Sequence, residues 1–167
     1  MAAKIKKILF ATDLSKNSAY TFSYAINLAQ VHGATIVILH AIEPLPAVAL
    51  FHGTRDEETH YYEKMKGDRE GRIKEFVEFC CRDVENRIGE PCNHFISRII
   101  CPVGHPLEEI LGTADEEECD LIVVGSHGKG FLRHNFLGSV SRSVLDRSTK
   151  PVLVVPLPLE DVTSSKP

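Results

Sequence analysis

Short runs of aliphatic and β-branched residues alternate with segments of helical periodicity along this chain, and this alternation constrains the fold most strongly. The apolar runs occupy residues 7–11, 35–42, 94–101, 121–124 and 151–155. Between them, apolar residues recur at helical spacing over about residues 17–31, 73–88 and 107–114, and a further helix is predicted to begin at Ser139. Strands of this composition are usually buried on both faces. We therefore predict an α/β fold with one doubly wound parallel sheet and helices on both of its faces.

Residues 43–71 interrupt this alternation. They contain Pro44, Pro46, Gly53 and Gly67, together with a polar cluster over residues 54–63. Because proline and glycine commonly interrupt helices and strands, we predict a loop or flap here, with a helical stretch near residues 57–66. Loops of this length are uncommon in compact domains and are often functional.

Length and composition exclude several classes of partner. The chain has 167 residues, enough for one domain with a real core, and its net charge of −4 comes from interspersed acidic and basic residues. No basic face for nucleic acid is indicated, and no apolar run approaches the roughly 20 residues that span a bilayer. The first residues lack the apolar stretch of a signal peptide, so a cytoplasmic location is expected. We expect residues 1–156 to form the domain and the tail 157–167 to be disordered.

The cysteines and histidines follow no recognisable ligand pattern. The five cysteines include no C-x-x-C spacing, which argues against a disulfide framework. Cys80 and Cys101 lie within apolar patterns and are expected to be small core residues. The eight histidines do not combine with cysteine at the short paired spacings of a structural zinc site.

A glycine-spaced segment follows the fourth predicted strand. Gly125, Gly128 and Gly130 come directly after the apolar run, and Gly138-Ser139 precedes a helical pattern. Glycine allows the backbone to approach an anion closely, and a helix N-terminus offers unbonded N–H groups and the positive end of the helix dipole. These features indicate a phosphate-binding site.

Two common phosphate motifs do not fit this segment. Gly125 and Gly130 have the spacing of a P-loop, but Phe131 stands where the phosphate-binding lysine is required. Gly128 and Gly130 begin a dinucleotide fingerprint, but Arg133 occupies its last glycine position. The spacing that is present is Gly125-x-x-Gly128, nine residues, then Gly138-Ser139.

This spacing resembles the nucleotide-binding signature of the universal stress protein family, and the resemblance covers residues 4–156. Five blocks carry it, in order: KKILFATDLS, ILHAIEP, VGHPLEEI, VVGSHGKG and LGSVSRSVLDRSTKPVLVVP. The resemblance implies a five-stranded sheet with strand order 3-2-1-4-5. It also implies that ATP or AMP binds beyond the tips of strands 1 and 4; the sequence leaves open whether Mg²⁺ accompanies the nucleotide.

The resemblance also implies the residues of this site. Those expected to border adenine and ribose are Ala11, Thr12, Asp13 and, against the base, Ala41. Those expected beneath the ribose and phosphates, or around the phosphates, are Val124, Gly125, Gly128, Gly138, Ser139, Val140 and Ser141. The last four are expected to act through N–H and hydroxyl groups.

Several of these residues have alternative interpretations. Asp13 would also serve as a helix N-cap, and Ser139 would serve as a cap and a phosphate donor together. Lys129, Arg133 and His134 would either neutralise phosphate or be solvated. His127 is more simply a packed or solvated histidine than a general base, and Glu43 more simply a solvated acid than a ribose ligand.

Three functions remain open from the sequence. The signature without an evident catalytic constellation favours a nucleotide-dependent regulatory or sensor protein. A slow ATPase or phosphotransferase using the same site is the alternative, with Asp13 and Ser139 as its only evident metal helpers. A purely structural role ranks last because the glycine motif is intact. The family order places strand 151–155 at the sheet edge, which implies a homodimer through antiparallel pairing of these strands. The identity of any further protein partner is left open.

Overall fold

One parallel sheet organises the structure, a computed structural model that describes residues 4–44, 54–126 and 137–156. Its strands are β1 Lys7–Ala11, β2 Thr35–Leu39, β3 Ile96–Ile100, β4 Leu121–Gly125 and β5 Val152–Val155. The helices are α1 Lys16–His32, α2 Arg55–Ile88, α3 Pro106–Glu116 and α4 Ser139–Arg147, and a 3-10 turn at Cys92–Phe95 precedes β3. The strand order is β3-β2-β1-β4-β5, as predicted, and every pairing is parallel.

Helices cover both faces of the sheet, which confirms the doubly wound arrangement. Ile8 and Phe10 of β1 belong to the core that α1 and α2 cover, and Phe10 contacts Phe22 of α1 with ring centroids 5.4 Å apart. Leu9, between them in sequence, belongs to the opposite core, which includes Val144 of α4. Successive side chains of a strand point to opposite faces, so a strand buried on both faces is apolar throughout.

Helix α2 is longer than the sequence prediction and corrects it. The helical stretch predicted near residues 57–66 is confirmed, but it is not isolated within a loop or flap. Residues 55–71 are all helical and continue directly into the predicted helix as one helix of 34 residues, so the loop prediction is wrong for residues 55–56 and 67–71. Thr54 forms a capping box with Glu57, in which each side chain accepts a hydrogen bond from the other residue's backbone N–H. Gly67 and Gly71 lie inside this helix with ordinary helical backbone, so they lower its propensity without ending it.

The second and third strands are shorter than predicted. β2 ends at Leu39 rather than at residue 42, because β1 ends beside it at Ala11, while the backbone beyond Leu39 continues to bond with the end of β3 and the segment that follows it. The His40 N–H donates to the Ile100 carbonyl, and the Ile42 N–H donates to that of Pro102. The start of the predicted third strand, at residues 94–95, lies in the 3-10 turn.

A disulfide that the sequence argument did not anticipate joins α2 to the 3-10 turn. It links Cys81 and Cys92, whose Cα atoms are 5.4 Å apart. Gly89 ends α2 in the left-handed region, with φ of 75°, and the chain then returns along the last turns of the helix. Cys80 and Cys101 are buried core thiols, as predicted.

Within the described ranges, no helix is both long enough and apolar enough to cross a membrane. The predicted disordered tail, residues 157–167, lies outside the described residues, as do residues 45–53 of the predicted flap.

Candidate functional site

A cavity of about 490 Å³ opens at the carboxyl edge of the sheet. All predicted site residues that the structure describes line it: Ala11, Thr12, Asp13, Ala41, Val124, Gly125, Gly138, Ser139, Val140 and Ser141. Gly128 lies outside the described residues, together with His127, Lys129, Arg133 and His134. Segments far apart in sequence meet here because the carboxyl ends of parallel strands share one edge of the sheet.

The turn after β1 orients the carboxylate of Asp13. Its Oδ1 accepts hydrogen bonds from the Ser15 N–H at 3.0 Å and from the Ser18 hydroxyl at 2.7 Å. Leu14, between them, has φ of 61°, a strained value for a residue with a branched side chain. Ser15, not Asp13, is the N-cap residue of α1. The Asp13 carboxylate therefore stabilises the turn, in a residue that also lines the cavity.

His40 joins the ends of β1 and β2. Its side chain is 8% exposed, and its Nδ1 lies 2.8 Å from the carbonyl oxygen of Thr12. Because a carbonyl oxygen only accepts hydrogen bonds, Nδ1 carries the proton in this contact. His40 lines the cavity, although the sequence had indicated no role for it in the nucleotide site.

The start of α4 forms the opposite end of the cavity. Gly138 is its N-cap residue and Ser139 its first helical residue, so the predicted capping role of Ser139 is wrong. The Gly138 N–H donates to the carbonyl of Ser126 at 2.7 Å, and the Ser141 hydroxyl donates to that of Gly125 at 2.6 Å. These bonds hold the helix start against the end of β4.

The chemistry of this end suits an anion. The first N–H groups of an α-helix have no partner within the helix, and in α4 these belong to Ser139, Val140 and Ser141. The helix dipole adds a partial positive charge there. Because the Ser141 hydroxyl already donates to Gly125, its backbone N–H is the group left to bind an anion. Ser139 is exposed, and its hydroxyl is a second possible donor.

Helix α2 contributes residues to the cavity that the sequence argument missed. Met65 and Arg69 line it and are half-buried. They are four residues apart and therefore lie on one face of the helix. The capping-box pattern at Thr54 is the sequence signal that could have found them. It marks the start of a helix, and within that helix a spacing of four residues indicates a shared face. Glu43, considered as a ribose ligand, also lines the cavity.

Metal ligands are not clustered in the described part of the chain. No group of three or more histidine, cysteine, aspartate or glutamate side chains there is arranged to hold a metal ion. The carboxylates of Asp13 and Glu43 are the acidic groups among the described lining residues.

Comparison with known proteins identifies close structural and sequence relatives. The model of the universal stress protein family matches residues 4–156. Universal stress protein MJ0577 of Methanocaldococcus jannaschii is 30% identical over 166 residues, which covers 93% of this chain and 97% of that protein. A universal stress protein of Thermus aquaticus is 33% identical over 150 residues, covering 90% of this chain and 98% of its own.

Solved structures resemble the fold over nearly its whole length. The structure of MJ0577 has a TM-score of 0.71 at 27% identity and covers 92% of this chain and 97% of its own. A universal stress protein solved in complex with cAMP has a TM-score of 0.58 at 25% identity and covers 91% of this chain and 97% of its own.

Proposed function

Because the chain belongs to the universal stress protein family, we propose that it binds an adenine nucleotide, ATP or AMP, in the cavity at the carboxyl edge of the sheet. In this proposal the protein is a nucleotide-dependent regulatory or sensor module of the stress response. The observation that carries the proposal is that the cavity joins the N-terminus of α4 to the apolar residues that follow β2. A nucleotide needs both an anion site and an apolar surface for its base.

Each end of the cavity then has a role. The N–H groups at Ser139, Val140 and Ser141 bind the phosphates, with Gly125 and Gly138 allowing close approach of the backbone. Ala41 packs against the base. The same proposal includes the contacts predicted from the sequence. Ala11, Thr12 and Asp13 would border adenine and ribose, Val124 would lie beneath the ribose, and Gly128 would contact the phosphates. The complex of a related universal stress protein with cAMP, itself an adenine nucleotide, supports this class of ligand.

A nucleotide in this position would touch elements from both faces of the sheet. Leu39 and Ile110 belong to one core cluster, whereas Ile42 belongs to the other, and all three line the cavity. A ligand that contacts both sides favours the conformation in which they are held together. A partner that recognises this conformation would read the nucleotide state.

Slow ATP hydrolysis is the second candidate function, and the orientation of Asp13 favours it. Asp13 lines the cavity and two hydrogen bonds fix the orientation of its carboxylate, and a carboxylate is a usual ligand of an Mg²⁺ that accompanies ATP. Timed phosphate release from the wild type and from Asp13→Ala separates the two functions. Brisk turnover that depends on Asp13 would favour the enzyme over the sensor.

The proposal extends to the oligomer. β5 pairs with β4 along one side and lies at the end of the strand order. An apolar edge strand such as Val152–Val155 is prone to pair with another strand. We propose a homodimer through antiparallel pairing of the two β5 strands. Pro151 and Pro156 limit the length of this pairing.

The function is tested by placing a charge at the start of α4. Ser139→Asp adds a carboxylate where the helix dipole stabilises it, so the fold is expected to keep its stability. The same carboxylate repels phosphate, and ATP affinity measured by calorimetry is expected to fall at least about tenfold. Ser139→Asn is the neutral control of matched size and should stay within about threefold of the wild type. Absence of ATP, ADP and AMP binding to the wild-type protein would overturn the proposal.

A further inference from the structure

The position of α2 along the sheet edge separates Met65 and Arg69 from the phosphate end of the cavity. Burial raises the pKa of the Cys101 thiol to about 11, and the charges of Glu70, Lys66 and Arg69 also act on it. Cys101 follows directly after β3, so this part of α2 lies beside the carboxyl end of β3. The sheet order places β2 and β1 between β3 and β4.

Strand spacing gives the scale of this separation. Adjacent strands lie about 4.8 Å apart, so β2 and β4 are separated by about 10 Å. The anion-binding N–H groups of α4 follow β4, whereas Ala41 and Glu43 follow β2. Arg69 therefore belongs to the half of the cavity that lies away from the N-terminus of α4, where a bound nucleotide has its base.

Residues of two helices from opposite faces of the sheet line the cavity. Met65 packs against the core cluster on the α1 and α2 side of the sheet. Ile110 of α3 belongs to the cluster on the other side, and Pro106 opens that helix. All four residues, Met65, Arg69, Pro106 and Ile110, line the cavity. Walls that come from opposite faces suit a flat ring between them.

The chemistry of Met65 and Arg69 matches an aromatic ring. A thioether makes favourable contacts with aromatic groups, and a guanidinium stacks on aromatic faces through its planar, weakly hydrated cation. Between the residues that the structure describes, no hydrogen bond or ion pair engages the Arg69 side chain. Its guanidinium is thus not committed to an acidic neighbour among these residues.

We propose that Met65 and Arg69 of α2 form the wall on which the purine base stacks, which makes α2 the base-recognition element of the site. This inference rests on the proposed nucleotide-binding function. It assigns Arg69, the cation among the described lining residues, to the base rather than to the phosphates.

A ligand series with different numbers of phosphates tests this assignment. Calorimetry with adenosine, AMP and ATP on Arg69→Ala is expected to show a loss of about fivefold to tenfold that is the same for all three ligands. Met65→Ala is expected to show a smaller loss with the same independence of phosphate number. Arg69→Lys keeps the charge but loses the planar group, and should lose nearly as much as Arg69→Ala. Arg72→Ala, at an exposed position on the same helix, is the control and should bind like the wild type.

The outcomes separate the two proposals. The inference is overturned if the loss of affinity in Arg69→Ala grows from adenosine to ATP and Arg69→Lys recovers the wild-type affinity. That result would assign Arg69 to the phosphates. If the wild type binds the ligands and the Met65→Ala and Arg69→Ala variants bind them with the same affinity, the inference is overturned while the proposed function stays intact. A wild-type protein that binds none of the three ligands would overturn the proposed function and the inference with it.

Discussion

The hydroxyl of Ser141 donates a 2.6 Å hydrogen bond to the carbonyl oxygen of Gly125. Gly125 ends β4, and Ser141 lies in the first turn of α4, so this bond crosses the segment that the glycine signature spans. It holds the N–H groups at the start of α4 at a fixed position relative to the strand end. The site thus depends on a side chain that the sequence suggested as a direct phosphate ligand.

We expect Ser141→Ala to lower the free energy of unfolding by about 1–2 kcal/mol. Ser141 is 8% exposed, and the variant would leave the Gly125 carbonyl without this donor. Urea denaturation measures the change. Ser139→Ala is the control, because its hydroxyl is exposed, and its effect should stay below about 0.5 kcal/mol. Equal stability of the two variants would show that the bond to Gly125 contributes nothing.

Glycine to alanine changes within α2 should stabilise the protein. A methyl group at Gly67 or Gly71 would have no atom within 4 Å, and both lie in the helix interior. Each change is expected to raise the free energy of unfolding by about 0.5–1 kcal/mol in thermal or urea unfolding. The matched controls are Gly33→Ala and Gly89→Ala, where φ is 62° and 75°, and these should destabilise. Destabilisation by the changes at 67 and 71 would contradict a continuous helix.

These glycines also show where sequence reasoning about the fold failed. The strands were predictable as short apolar runs, and α1 was predictable because its apolar residues recur at helical spacing. Residues 55–72 of α2 have no buried side chain, so the apolar periodicity that begins at Ile73 is absent there. Only the local capping box at Thr54 marked the true start of the helix. The strand order came from the resemblance, since periodicity does not specify which strands are neighbours.

The site was predictable to the extent that it follows local motifs. The end of β4 and the start of α4 flank the glycine signature in sequence, and the family resemblance supplied the residues after β1 and β2 that the structure brings beside them. Met65 lies in the short helical stretch predicted within the flap, Arg69 lies in the part of α2 assigned as a loop, and His40 comes from a segment assigned to a strand. Such residues reach the cavity through the packing of distant elements, which a single sequence does not display.

The disulfide between Cys81 and Cys92 predicts a thiol count. Untreated protein, unfolded without reductant, should show the three free thiols of Cys80, Cys101 and Cys119, and reduced protein all five. Reduction should lower the free energy of unfolding by about 3 kcal/mol, because the disulfide closes a short loop and its reduction frees that loop in the unfolded chain. The double variant Cys81→Ala/Cys92→Ala is the control and should not respond to reductant. Five reactive thiols in untreated protein would contradict the pairing.

Asp120 predicts a pH dependence of stability. Its Oδ2 accepts hydrogen bonds from the Lys6 and Lys7 N–H groups at 2.7 and 3.0 Å, and the bond from Lys6 is the main cause that lowers the pKa of this carboxyl. Because the folded pKa is lowered, the carboxylate's stabilisation is present above the unfolded pKa and is lost as the pH falls through the folded pKa.

The wild type should therefore be more stable than Asp120→Asn at pH 7, and this difference should shrink once the pH falls below about 4. Urea denaturation at several pH values measures it. Asp68→Asn, at an exposed position of α2, is the control and should show no comparable change. A difference that stays constant down to the lowest pH would contradict the role of the carboxylate charge. Nucleotide affinity should not change in Asp120→Asn, because this residue precedes β4 at the opposite edge of the sheet.

Charge on the edge strand should dissociate the proposed dimer. Val154 lies in β5, and a lysine there would place a charge within the proposed strand pairing. The Val154→Lys variant should therefore sediment as a monomer, whereas the wild type should sediment as a dimer. The same substitution at Val31, which is 70% exposed on α1, is the control and should leave the dimer intact. Circular dichroism on both variants shows whether the fold is retained. A folded Val154→Lys protein that still sediments as a dimer would place the interface elsewhere than β5.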